Sequence, residues 1–160
     1  MLTKLDNLSA GERHHLSYWT TFCDYIAKHS SFVHRLELDP EKPKYWIQFP
    51  KELFGRGNTI RLGAHNIIRG EDYISVVLHL SGREAKQRFD SLNREKEQIE
   101  REIGAGLDWR RDPGEKHSEI ILARSNVNPK NERDWPRQHA WLMQRLEDFY
   151  ATFAPRIERF

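Results

Sequence analysis

Eight histidines are the first groups in this 160-residue chain that could do chemistry: His14, His15, His29, His34, His65, His79, His117 and His139. Imidazole is a common zinc ligand, but zinc sites need four ligands, or three and a water, at recognisable spacings. No pair of these histidines forms a zincin-type motif. Cys23 is the only cysteine, so neither a disulfide nor a cysteine-based zinc site can form within one chain. Strand alternation puts His65 and His79 on the outer side of their strands, where they could meet across a sheet. Without a second ligand pair, surface or half-buried histidine is the better reading. Cys23 falls on an apolar helical stripe with no base or positive charge beside it in sequence, the setting of a buried, inert thiol.

Carboxylates come next. A metal-dependent nuclease needs an acidic residue and a Glu-x-Lys pair on neighbouring strands, so that carboxylates hold Mg²⁺ and the lysine steadies the attacking water. Glu84-Ala85-Lys86 has the letters, but it sits at the start of a helix, where Glu84 has capping spacing with Ser81. Glu97, Glu100 and Glu102 alternate with Arg94, Lys96 and Arg101, which reads as a solvated helix face laced with weak ion pairs. Gly55-Arg56-Gly57-Asn58 is glycine-rich, but it lacks the Lys-Ser/Thr ending of a phosphate loop and opens no helix, so it reads as a turn. No catalytic residue, metal ligand or cofactor is assigned. A cryptic nuclease using Asp72, Asp108 or Glu119 with a histidine remains as an alternative.

The constellation that carries most interest is basic and aromatic. Arg61 lies on the non-core side of its strand and could approach Arg56 in the preceding loop. Trp109, Arg110, Arg111 and Arg124 lie on or beside a later hairpin. Arginine grips phosphates and carboxylates through its planar fork, and exposed aromatic rings stack on bases. On one sheet face these six would make a surface for nucleic acid or a partner protein. The plainer alternative makes Trp109 core and the arginines solubilising.

The elements that must position these residues follow from periodicity. A helix is predicted from about Ala10 to Ser30, opened by a Ser9/Glu12 capping box and carrying Leu16, Trp19, Phe22, Cys23 and Ile26 on one face. Asp39-Pro40 and Pro43 then discourage helix. Tyr45 to Phe49, Asn58 to Ile67 and Tyr73 to Leu80 read as strands of an antiparallel meander, the last two alternating apolar and polar residues. A helix from Gly82 to Ile103 buries Ala85, Phe89, Leu92, Ile99 and Ile103, interrupted only by Lys96, and Gly104 suits its end. Strands near Leu107–Arg111 and Ser118–Ser125 flank an Asp112-Pro113-Gly114 turn. The last helix starts at Asp134, buries His139, Leu142, Leu146, Phe149 and Phe153, and is expected to end at Pro155. The order α-β-β-β-α-β-β-α predicts an α+β fold: an antiparallel sheet of about five strands with helices packed on one face.

Composition sets the class. With 38% hydrophobic and 31% charged residues the chain is polar but foldable, and 160 residues suit a single domain over 1–160. A net charge of +2 does not support a general nucleic-acid coat. No run approaches the ~20 apolar residues of a membrane helix, and Met1 to Ala10 lacks a signal-peptide core, so the expected compartment is the cytoplasm.

The anchors Arg13…Tyr18-Trp19…Phe22, Phe89…Leu92, Ile99-Glu100, Leu107-Asp108-Trp109 and Trp135…Trp141-Leu142…Phe153-Ala154-Pro155-Arg156-Ile157 resemble one family over nearly the whole chain from about Ala10. It is domain-of-unknown-function family 4268, a bacterial and archaeal domain often found C-terminal to PD-(D/E)XK-type nuclease domains. The resemblance implies a restriction- or defence-related setting in prokaryotes or phage. Because the nuclease half is absent here, it also implies a non-enzymatic accessory or binding domain. Expected partners are a nucleic acid or a nuclease or other partner protein, with a homodimer as a further alternative. No catalytic residue carries over.

Overall fold

The structure, a computed structural model, describes residues 4–55, 57, 59–112 and 117–160. Arg56 and Asn58 of the glycine-rich loop, and Pro113 and Gly114 of the expected turn, lie outside the described residues.

Helix α1 spans Ala10–His29, and its capping box forms as expected. Ser9 Oγ accepts from the Glu12 N–H at 3.1 Å and Glu12 Oε1 accepts from the Ser9 N–H at 3.3 Å. Trp19, Phe22 and Ile26 are buried, joined by Tyr18, while Leu16 and Cys23 sit half-buried at the margin. The Trp19 indole N–H donates to the Lys44 carbonyl at 2.9 Å, which ties the proline-containing connection to the helix.

The strands are β1 (Trp46–Gln48), β2 (Ile60–Ile67), β3 (Tyr73–Ser81), β4 (Asp108–Arg111) and β5 (His117–Ser125). They form one antiparallel sheet in the order β1-β2-β3-β5-β4, the meander followed by a hairpin that joins through β5. Ile60, Leu62 and Ala64 of β2 lie level with Leu80, Leu78 and Val76 of β3, and Ile120 and Leu122 of β5 continue the same face. These side chains share one core with α1, with α2 (Ala85–Asn93), with α3 (Lys96–Ile103) and with α4 (Trp135–Ile157). The expected α+β architecture is the one observed. Among the described residues no helix is long and apolar enough to cross a membrane.

Three local expectations change. The single helix expected over Gly82 to Ile103 is two helices, broken at Arg94-Glu95. A continuous helix would carry Lys96 on the buried stripe. The break leaves Lys96 exposed and sets Glu95 against Arg156 of α4. The Ser81/Glu84 capping box does not form, because Ser81 still belongs to β3. Its hydroxyl donates to the Thr59 carbonyl at 2.9 Å and Thr59 Oγ1 donates back to the Ser81 carbonyl at 2.6 Å, while Glu84 pairs with Arg88. Finally, α4 continues through Pro155 to Ile157. This proline is exposed and lies in the last turn, where its missing N–H costs a single ladder bond.

Arg156 fastens this last turn. It is only 8% exposed. Its guanidinium donates to Glu102 at 2.9 and 3.0 Å, to Glu95 at 3.3 Å and to the Thr152 carbonyl at 2.7 Å. The Glu102 hydrogen bonds raise its pKa further, so it stays charged. Arg156→Met keeps the stem but removes the cation from two half-exposed glutamates. The expected loss is about 1.5–3 kcal/mol, the range for hydrogen bonds to charged groups, read from the urea midpoint.

Candidate interface on the open sheet face

Because side chains alternate along a strand, the register that fixes the core also fixes what faces away from the helices. On that face lie Trp46 and Gln48 of β1, Arg61, Gly63 and His65 of β2, and Ser75, Val77 and His79 of β3. His117, Glu119 and Ile121 of β5 and Asp108 and Arg110 of β4 complete it. Among the described residues no helix covers this face, yet Ser75, Val77 and Ile121 are only 1%, 3% and 8% exposed. The surface is hollowed. A concavity of about 470 Å³ lies between Tyr45, Trp46, Arg61, Val77, His79 and Glu119. A second, of about 310 Å³, lies between Asp72, Tyr73, Asp108, Arg110 and Ile121, and His65 and Glu119 border both.

Glu119 is the electrostatic centre. Its Oε1 lies 3.4 Å from His79 Nδ1, and this hydrogen bond holds the carboxyl below its usual range, against the opposing effect of burial. Electrostatic interactions with His79, His65 and Arg110 act in the same direction. The His79 ring also stacks on His117, with centroids 5.3 Å apart at 29°. Burial pushes His65 down to about 4; Glu119 opposes this, and His79 and Arg110 add to it, so the imidazole is neutral at pH 7. Tyr45 meets His65 edge-on at 5.5 Å, and Lys44 Nζ sits 4.9 Å from the Trp46 ring centre. The rim carries both signs. Arg61 Nη1 lies 3.6 Å from Glu37 Oε1, and Arg110 Nε 2.7 Å from Asp108 Oδ2.

The six binding candidates named from sequence do not all meet. Arg61 and Arg110 lie on the open face, on β2 and β4, with β3 and β5 between them. Trp109 turns to the helix side, where its indole N–H donates to Glu100 Oε1 at 3.0 Å and its ring packs edge-on against Phe89. Glu100, read above as part of a solvated face, is thus a buttress; it also accepts from the Leu107 N–H at 3.0 Å, the first cause of its lowered pKa. Arg111 also falls on the helix side and donates to both oxygens of Asp90 of α2, at 2.8 and 3.2 Å. Arg124 is level with Ile74, again on the helix side. Arg56 lies outside the described residues. Three consecutive strand residues cannot share a face, which is why the Trp109-Arg110-Arg111 run divides.

His65 and His79 both face outward, but four positions apart along β2 and β3, and the ring that His79 meets is that of His117. Glu119, His117, Tyr45 and Trp46 were not singled out as binding groups from sequence; only the β3–β5 and β1–β2 registers bring them together. Asp72, Asp108, Glu119 and His65 do line one hollow, yet Asp108 is engaged by Arg110 and Glu119 by His79. Among the described residues no three His, Cys, Asp or Glu side chains are arranged to hold a metal ion. Burial, assisted by Asp24, pushes the Cys23 thiol up to about 11, so it stays protonated and unreactive at neutral pH.

No curated protein and no solved structure matches the chain. One family model does, described as Domain of unknown function (DUF4268), and it matches residues 14–157, from within α1 to the last residue of α4. The chain that builds this hollowed sheet face therefore belongs to the DUF4268 family.

Proposed function

We propose that this domain is a non-enzymatic binding module that receives a partner protein on its open sheet face. The observation that carries the reading is the composition of that face: a desolvated floor of Ser75, Val77 and Ile121, bordered by aromatic and imidazole rings, with a rim of both charges. Apolar and aromatic centres with a polar rim are the usual anatomy of protein interfaces. A nucleic-acid backbone presents one sign of charge and is drawn to basic surfaces. Here a phosphate chain laid between Arg61 and Arg110 would have to pass Glu119, which lies in the same row of the sheet, and would meet Asp108 already paired with Arg110. A polypeptide of mixed charge meets no such conflict. The restriction- or defence-related setting belongs to the same proposal and is supported by the resemblance described above.

The test compares the wild-type chain with Arg61→Glu/Arg110→Glu, expressed with a tag in native cells. Both arginines are in part-exposed ion pairs, so the double variant is expected to fold with a stability change below about 1 kcal/mol per pair. One co-purifying protein is expected with wild type, reduced about tenfold or more in the double variant. Arg137→Glu, on the exposed surface of α4, is expected to leave it unchanged. Equal recovery from all three would overturn the reading. So would saturable binding to labelled DNA or RNA that the double variant loses, or cleavage of either with Mg²⁺ or Mn²⁺. A dimer mass by light scattering, lost in the double variant, would name a second copy of the chain as the partner.

A further inference from the structure

A third cavity, of about 490 Å³, opens where the end of β2 meets the first turn of α1, and it holds polar groups that the fold leaves unused. Asn66 occupies the β2 position after Ile60, Leu62 and Ala64 on the face turned to the core, where alternation calls for an apolar side chain. It is 0% exposed, and neither its Oδ1 nor its Nδ2 has a hydrogen-bond partner. His15 Nδ1 and His14 Nε2, in the same cavity, are likewise without partners. The Asn66 amide lies near enough to His15 to favour its charged form, but no atom pair reaches hydrogen-bonding geometry. A buried amide left bare costs about 1–3 kcal/mol, so a position that served packing alone would favour leucine or valine.

The charge around the cavity narrows what could satisfy that amide. Arg69 and Lys130 stand at its wall, and none of the described residues lining it is acidic. Ala10 and Gly11 bring the N-terminal turn of α1, whose first N–H groups have no partner inside the helix and favour negative charge. Tyr45 adds a ring, with the Arg69 guanidinium 5.9 Å from its centre. Ordered water would complete the amide but would not call for two cations. We infer that this cavity binds a small anion carrying a planar edge with a donor beside an acceptor, and that the ligand class is a nucleoside monophosphate. The phosphate lies with Arg69, Lys130 and the start of α1, and the base edge with the Asn66 amide. An asparagine amide pairs with a base edge in two hydrogen bonds at once. The volume falls in the usual range of ligand sites, about 300–1,000 Å³. Tyr45 lines both this cavity and the larger hollow of the open face, and the inference does not depend on the open face binding anything.

The test is titration calorimetry of the full chain with AMP, GMP, CMP, UMP and, separately, inorganic phosphate. At least one monophosphate is expected to bind saturably, about tenfold or more tighter than phosphate, the discrimination of one good bidentate pair. Arg69→Ala/Lys130→Ala is expected to weaken all four nucleotides together. Asn66→Leu is expected to melt no lower than wild type and to lose the preference among bases. No saturable binding by any monophosphate would overturn the inference. So would phosphate binding as tightly as the nucleotides, which would mark a plain anion site, or unchanged nucleotide affinities in Asn66→Leu, which would leave the amide to water. Should Asn66→Leu fail to fold, undiminished affinity in the Arg69/Lys130 variant overturns the inference by itself.

Discussion

Gly63→Ala is expected to destabilise the domain by about 2–3 kcal/mol, the upper part of the range for overpacking a fixed site. A Cβ at this position would run into the Ile47 carbonyl and the Cα and Cβ of Gln48. Most of these are backbone atoms of the paired strand, and they cannot swing aside as a flexible side chain would. The relief must come from β1, which is the least anchored strand. It has three residues, pairs only with β2, and is otherwise held by the isolated bridge between Gln48 and Glu37. β1 also carries Trp46, a wall of the larger hollow, so the substitution is expected to disturb the interface as well as the stability. Urea denaturation gives the first effect. Hydrogen exchange gives the second: faster exchange is expected at the Phe49 and Asn66 amides, which bond to Leu62 and Tyr45 carbonyls, with β3–β5 protection retained. Wild-type stability in Gly63→Ala would contradict this account of the β1–β2 contact.

Acid is expected to be the second large perturbation. Burial lowers His14, His65 and His139 to about 4 from the ordinary value near 6.5. The unfolded chain therefore takes up protons first as the pH falls. Stability from these groups is complete above about pH 6.5, declines as pH drops toward about 4, and changes no further below that. For His139, which is 1% exposed, the shift corresponds to at most about 3 kcal/mol. The half-exposed His14 contributes less. His139 lies among Tyr18, Phe22 and Trp135, with its Nε2 unpartnered. His139→Leu is thus expected to hold or raise stability at pH 7 and to flatten the decline between pH 6.5 and 4. Urea midpoints at pH 7 and pH 5 measure both, and an unchanged pH dependence in the variant would remove His139 as a source.

What was legible in sequence was local. The capping box and apolar face of α1 involve residues three and four apart, β2 and β3 announce themselves by alternation within each segment, and β4 and β5 by the turn residues between them. What was not legible depends on distant partners. The break between α2 and α3 is held by Arg156, 61 positions from Glu95, and Ser81 is claimed by Thr59, 22 positions back, before it can cap a helix. The site divides in the same way. Grouping Trp109, Arg110 and Arg111 overlooked an alternation that was already readable. By contrast, the meeting of His79 and Glu119, 40 residues apart, required the β3–β5 register. Asn66 did leave a signal, a polar residue at the apolar phase of β2, but its missing partners show only in three dimensions.

Site-specific photo-crosslinking in native cells distinguishes a partner on the open sheet face from one on the helix side. A photoreactive residue replaces Gln48 on the open face in one variant and Arg137 on α4 in another. A single protein adduct is expected from position 48 and none from position 137. Adducts from position 137 alone, or nucleic acid as the adduct at position 48, would contradict a protein partner on the open face.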